Sequence, residues 1–186
     1  MSKTFVGDKI AILVANGFTE QDLTHTQRAM QARGAHTRII GMDNGLVNSW
    51  TGDAWGHHFA ADSALNSALA ADYDMLIIPG GRRSIEKLKL TAHTRRFVGG
   101  FMDAGKPVAI FDDAIELLTF AERAEGRTIA VKETSRENVS GAGAICSEEK
   151  IAIDGNLITG YDDDVNVFIE AVIDHFIATA DIKVAA

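Results

Sequence analysis

Cysteine is nearly missing from this sequence: of 186 residues only Cys146 carries a thiol. One cysteine excludes an intramolecular disulfide framework and any cluster of thiolate metal ligands. Basic residues are also short, 18 Lys+Arg against 26 Asp+Glu for a formal charge of −8. No basic stripe exists to displace counterions from a phosphate backbone, so a nucleic-acid partner is not expected. No apolar run approaches the ~20 residues that a bilayer span needs, and Met1–Asp8 is polar without an apolar signal region. The expectation is therefore a soluble protein of a reducing compartment, the cytoplasm, with no membrane partner. What remains is an ordinary globular composition, 46% hydrophobic and 24% charged, which excludes wholesale disorder. The length suits about one domain with a substantial core, and the whole chain, 1–186, reads as one unit with its core at about 9–178.

Short apolar runs alternate with helical patterns. Lys9–Ala15 is a continuous β-branched run, as for a strand covered on both faces. Thr19 can cap a helix starting near Glu20, in which Leu23 and Met30 recur at helical spacing until Gly34 stops it. His36–Ile40 is a second strand, which completes a βαβ unit of the kind that builds parallel sheets. Gly41 to Asp62, punctuated by Gly45, Gly52 and Gly56, predicts a hairpin-like excursion. Tyr73–Ile78 and Pro107–Phe111 read as buried strands, with a helix over Thr91–Ala104 between them and another over Ala114–Arg123 after them. Thr128–Val131 and Lys150–Ile153 are further strands, and Asp154-Gly155 turns the chain back into Leu157–Thr159. The acidic run Asp162–Asp164 predicts the cap of a last helix over about Asp163–Ala178, with Val165, Phe168, Ile169, Val172 and Phe176 as its buried stripe. The pattern is one doubly wound α/β domain.

In such sheets ligands bind beyond the carboxyl ends of strands. Three strand ends carry unusual residues: Asn16-Gly17, Pro79-Gly80-Gly81 and Asp112-Asp113. At the last, a buried strand meets a helix with only two residues between, the geometry of a nucleophile elbow that exposes one side chain on a strained backbone. The alternative is that Asp112 or Asp113 simply caps the following helix.

The ordered series Lys9–Ala15, Asn16-Gly17-Phe18 with Asp22-Leu23, Asp72–Gly81, Gly105–Ile110, Val139–Ala144 and Ile153–Thr159 resembles the ThiJ/PfpI superfamily over nearly the whole chain. That resemblance implies a flavodoxin-like, glutamine-amidotransferase-like three-layer α/β/α sandwich with a mainly parallel central sheet, usually a homodimer or a higher oligomer. It covers intracellular proteases or amidases, glyoxalase- or deglycase-type enzymes, chaperones and redox-stress proteins. Family chemistry rests on an elbow Cys followed by His-Gly, an acidic residue from the first helix, and the N–H groups of the Pro-Gly-Gly turn as an anion site. Carried across, the Cys position holds Asp112, the His position Asp113 and the Gly position Ala114, while the acidic position falls on Asp22 and the turn glycines are Gly80 and Gly81. An arginine that the family often has after Asp-Gly-Asn is also absent, since Thr159-Gly160-Tyr161 stands there.

A carboxylate is a far weaker nucleophile than a thiolate and cannot enter the reversible oxidations of sulfur. Cysteine-dependent proteolysis, glyoxalase activity and thiol sensing are thus expected to be absent at the elbow. Cys146 lies far along the chain in a strand-like segment and reads as a structural thiol. Asp22 and Asp112 are expected to approach each other, so one should have a raised pKa or share a proton; a hard cation such as Mg²⁺ or Ca²⁺ is the second outcome and new acid–base catalysis the third. No metal site or cofactor is assigned. Gly17, Gly80, Gly81 and His25, three residues past Asp22, are the candidate ligand-binding positions beside Asp112, Asp22 and Asp113. Glu116 reads as a partly solvated helix acid, and His57-His58 as surface residues of the excursion. Two readings follow: a non-catalytic, homo-oligomeric binding or stress-related pseudoenzyme taking a small molecule at the elbow, or a carboxylate-dependent hydrolase or lyase using Asp112 and Asp22 in the manner of an intracellular protease or amidase.

Overall fold

The computed structural model describes residues 5–161 and 163–184, so Asp162 of the expected acidic cap and both chain ends lie outside it. In chain order the elements are β1 (Lys9–Leu13), β2 (Phe18–Thr19), α1 (Glu20–Gln31), β3 (His36–Gly41), β4 (Gly45–Trp50), β5 (Trp55–Ala61), β6 (Ser63–Ala64), β7 (Met75–Ile78), α2 (Arg82–Leu88) and α3 (Ala92–Asp103). There follow β8 (Val108–Phe111), α4 (Glu116–Phe120), β9 (Thr128–Ala130), α5 (Glu133–Gly141), β10 (Ile145–Ser147), β11 (Ile151–Asp154), β12 (Leu157–Gly160) and α6 (Val165–Val184).

Alternation along the buried strands divides the interior into two layers. On β1 and just beyond it, Ile10, Ile12 and Val14 pack with Leu23 and Met30 of α1 and Phe168, Val172 and Phe176 of α6. Ala11, Leu13 and Ala15 face the other way, onto Ile85, Leu88, Phe97, Phe101 and Leu117 of the helices between α2 and α4. A period of two is what makes one strand serve both layers. The seven-stranded sheet has the order β11-β12-β8-β7-β1-β3-β6 and is parallel except for β11, which returns antiparallel to β12. The fold is thus the α/β sandwich with a mainly parallel sheet. Chain connections leave β1 toward β3 on one side and return to β7 on the other, so the order reverses between β1 and β7. There Thr19 N–H donates to Gly80 O at 2.8 Å, tying the two strand ends together. No helix among the described residues is long and apolar enough to cross a membrane.

The glycine-punctuated excursion is the antiparallel hairpin β4–β5, extended by β2 along β4. Three expectations change. The helix expected over Ala114–Arg123 is a 3₁₀ turn, Asp112–Ile115, followed by the short α4. Strands β9 and β10 leave the main sheet and pair with each other. They are fastened to it by side chains: Thr159 Oγ1 accepts from Ala130 N–H at 2.8 Å and Asp154 Oδ2 from Thr128 N–H at 2.8 Å. Thr19 stands at the N-cap of α1 but its side chain makes no capping bond. At the last helix, Asp164 Oδ1 does cap, accepting from Asn166 N–H at 2.9 Å.

Candidate functional site

Strand β8 ends at Phe111, and Asp112 follows with φ of +46°, a left-handed conformation that a non-glycine residue adopts at a cost of ~1–3 kcal/mol. This is the sharp bend that the tight strand-to-helix junction predicts, and it turns the Asp112 side chain out of the core. Its Oδ2 accepts from Lys132 Nζ at 2.5 Å. Lys132 is the N-cap residue of α5, and sequence reasoning did not name it. The cation set against the elbow carboxylate is therefore the chain's own ammonium. Burial alone would lower the Lys132 pKa, but its bond to Asp112 raises it.

Asp22 comes from the first turn of α1 and Asp113 from the 3₁₀ turn, and both reach the Pro-Gly-Gly turn. Asp22 Oδ2 accepts from Gly80 N–H at 2.9 Å, and Asp113 Oδ1 accepts from Gly81 N–H at 2.9 Å. The anions on these two donors are the chain's own carboxylates. The three acids crowd Gly80: a Cβ there would lie 3.1 Å from Asp113 Oδ1, 3.2 Å from Asp22 Oδ2 and 3.4 Å from Asp112 Cβ. Gly81, at φ +119°, admits no side chain either, because its Cβ would sit 2.6 Å from Gly17 O.

The electrostatic outcome is uneven. Burial pushes Asp22 up to about 7; the Gly80 N–H opposes this, and the nearby charges of Asp112 and Asp113 add to it. Asp113 is raised for the same first reason, again opposed by one backbone donor. Asp22, Thr19, Phe111, Asp112, Tyr161 and Phe168 line a cleft of about 160 Å³ between α1, the elbow and the start of α6. Its walls bring together one carboxyl able to keep a proton near neutrality and one carboxylate already paired.

The other expected positions fall around this cleft in different ways. His25 is turned toward α6, where its Nδ1 lies 3.1 Å from Asn166 Oδ1. Gly17, at φ +95°, lets β1's exit pass against α2: a Cβ there would be 2.3 Å from Arg83 Cβ. Cys146 is half-buried on β10. Glu116 is corrected: it is only 5% exposed and accepts from Arg82 Nη1 at 2.6 Å, Lys89 Nζ at 2.5 Å and Ser135 Oγ at 3.0 Å. Burial would raise its pKa, yet these donors hold it below the ordinary value. Among the described residues, no group of three or more His, Cys, Asp or Glu is arranged to hold a metal ion.

This fold, which carries an aspartate in the left-handed position beyond a central strand and two acids on a Pro-Gly-Gly turn, is shared with known proteins. The DJ-1/PfpI family model matches residues 8–175, and the chain belongs to that family. Among its relatives is the uncharacterized protein SH1084 of Staphylococcus haemolyticus, 29% identical over 153 residues, which are 81% of this chain and 87% of that one. The uncharacterized protein SAV1875 of Staphylococcus aureus is 28% identical over the same shares. Of solved structures, a two-domain protein from Anabaena variabilis with DJ-1/ThiJ/PfpI-like and ferritin-like domains superposes with a TM-score of 0.83 at 24% identity. That match covers 91% of this chain and 48% of the other, so the chain spans about half of the two-domain protein. Schizosaccharomyces pombe DJ-1 gives a TM-score of 0.77 at 17% identity, with 90% of each chain covered. At such identities the likeness is one of fold.

Proposed function

We propose that this is a non-catalytic member of the DJ-1/PfpI family, a cytoplasmic homo-oligomer with a binding or stress-related role that holds a small molecule at the elbow cleft. The observation that carries the reading is the state of the donors. In acyl-transfer chemistry, backbone N–H groups must be free to meet a developing oxyanion. Here the N–H groups of Gly80 and Gly81 already serve Asp22 and Asp113, and the elbow side chain is a carboxylate bound to Lys132. Neither a strong nucleophile nor an open oxyanion hole is on offer.

The test is turnover of amide, ester and dicarbonyl substrates by the wild type and by Asp112→Asn and Asp22→Asn. The expected result is background hydrolysis in all three. A wild-type rate that drops by roughly a hundredfold or more in Asp112→Asn would establish the carboxylate-dependent hydrolase or lyase instead.

A further inference from the structure

We propose that the tip of the β4–β5 hairpin and the adjoining face of α2 form a docking site for a peptide segment that sets one Asp or Glu side chain beside an aliphatic or aromatic one. The centre is Arg83. Its guanidinium carbon lies 4.2 Å from the ring centroid of Trp50 and 5.8 Å from that of Trp55. The two indoles pack edge to face at 5.3 Å and 84°. The close approach of Gly17 pins the stem of Arg83 from beneath. Trp55 remains 52% exposed, an apolar shelf beside the charged group.

The charge is also unclaimed. Arg33, Arg95, Arg123 and Arg127 each pair with a carboxylate, and the neighbouring Arg82 pairs with two. Among the described residues, none accepts a hydrogen bond from the Arg83 guanidinium, although the chain carries 26 acids. Glu20, the carboxylate beside the hairpin tip, is already engaged by Ser49 and by the backbone and ring of His57. A planar fork of donors held on a tryptophan face has lost its rotamer freedom in advance, which lowers the cost of binding a carboxylate. Trp and Arg are also the residues that dominate binding energy at protein interfaces. With a net charge of −8 the protein repels polyanions at long range, so the fit is to a single carboxylate framed by apolar contact.

A randomised heptapeptide library selected on the full-length wild-type protein, and counter-selected on Arg83→Ala, tests this. Enriched peptides are expected to carry Asp or Glu next to an apolar residue. Replacing that acid by Asn or Gln should weaken binding to the wild type by roughly tenfold or more, as should Trp55→Ala or Arg83→Lys in the protein. Asp112→Asn should bind them unchanged. Enrichment without an acid, or indifference to the Asn or Gln exchange, overturns the proposal. So does a change of oligomeric mass in Trp55→Ala, which would assign the shelf to a second copy of the chain. The exchange within the peptide needs no protein variant, so the test survives a substitution that misfolds.

Discussion

Asp22 and Glu116 are two carboxyls near one elbow whose pKa values are driven in opposite directions. Glu116 receives a guanidinium, an ammonium and a hydroxyl, and stays ionised below its ordinary range. Asp22 receives one backbone N–H, faces two further aspartates and holds its proton up to about 7. Burial pushes both upward. Donor count and the sign of the neighbours decide the outcome, which is the general rule for buried acids. The elbow therefore has an ionised, structurally clamped side and a proton-holding side within one small region.

The widest separation between the two should appear in the pH dependence of stability. Folding raises the pKa of Asp22 from 3.8 to about 7, so the native state binds its proton more tightly than the unfolded chain does. Its contribution is full below the unfolded value and is lost as pH rises through the folded one. Wild-type stability should fall between about pH 4 and pH 7 by on the order of 3–4 kcal/mol. Asp22→Asn, which can still accept from Gly80, should remove most of that slope in urea titrations and leave the smaller part due to Asp113. An unchanged slope would erase the contrast with Glu116.

Glu116→Gln is the next largest effect. It strips the shared charge from Arg82 and Lys89, and stability at neutral pH should drop by about 2–3 kcal/mol. The loss stays below the ~3–5 kcal/mol of a fully buried pair because Arg82 keeps much of its head in water. Ser135→Ala removes one of three donors and should cost about 1 kcal/mol. A smaller change of opposite sign is expected from Asp112→Gly. Relief of the positive φ should outweigh a half-exposed ion pair and raise the melting temperature by roughly 2–4 °C. A fall in melting temperature would mean that the Lys132 pair stabilises the native state more than the bend costs.

How much of this was legible in the chain depends on the element. Strands β1, β7 and β8 announce themselves by short, nearly unbroken apolar runs, and the hairpin by its glycines. The elbow is visible because only Asp112 and Asp113 separate a buried strand from the next turn, and the family pattern places Asp22 opposite it. Two helices, α2 and α5, leave little signal in the sequence, since they are short and largely polar; α5 buries only Ser135 and Val139. Every site residue missed or misjudged depends on them. Arg82, Arg83 and Lys89 lie on or directly after α2, and Lys132 caps α5, which also carries Ser135. Glu116 was located correctly, but its burial could not be foreseen without the helices that cover it. Lys132 stands twenty residues beyond Asp112, and nothing local marks it as a partner.

The ribbon formed by β9 and β10 has no ladder to the main sheet, yet it is anchored there by Thr159 and Asp154, by Arg127 on the β11–β12 turn, and by Ile129 and Val131 buried in the core. Lys132 comes two residues after β9, directly after the buried Val131, so the place of the ammonium beside Asp112 is set by core packing. The counter-charge at the elbow therefore rests on a hydrophobic anchor rather than on a surface loop.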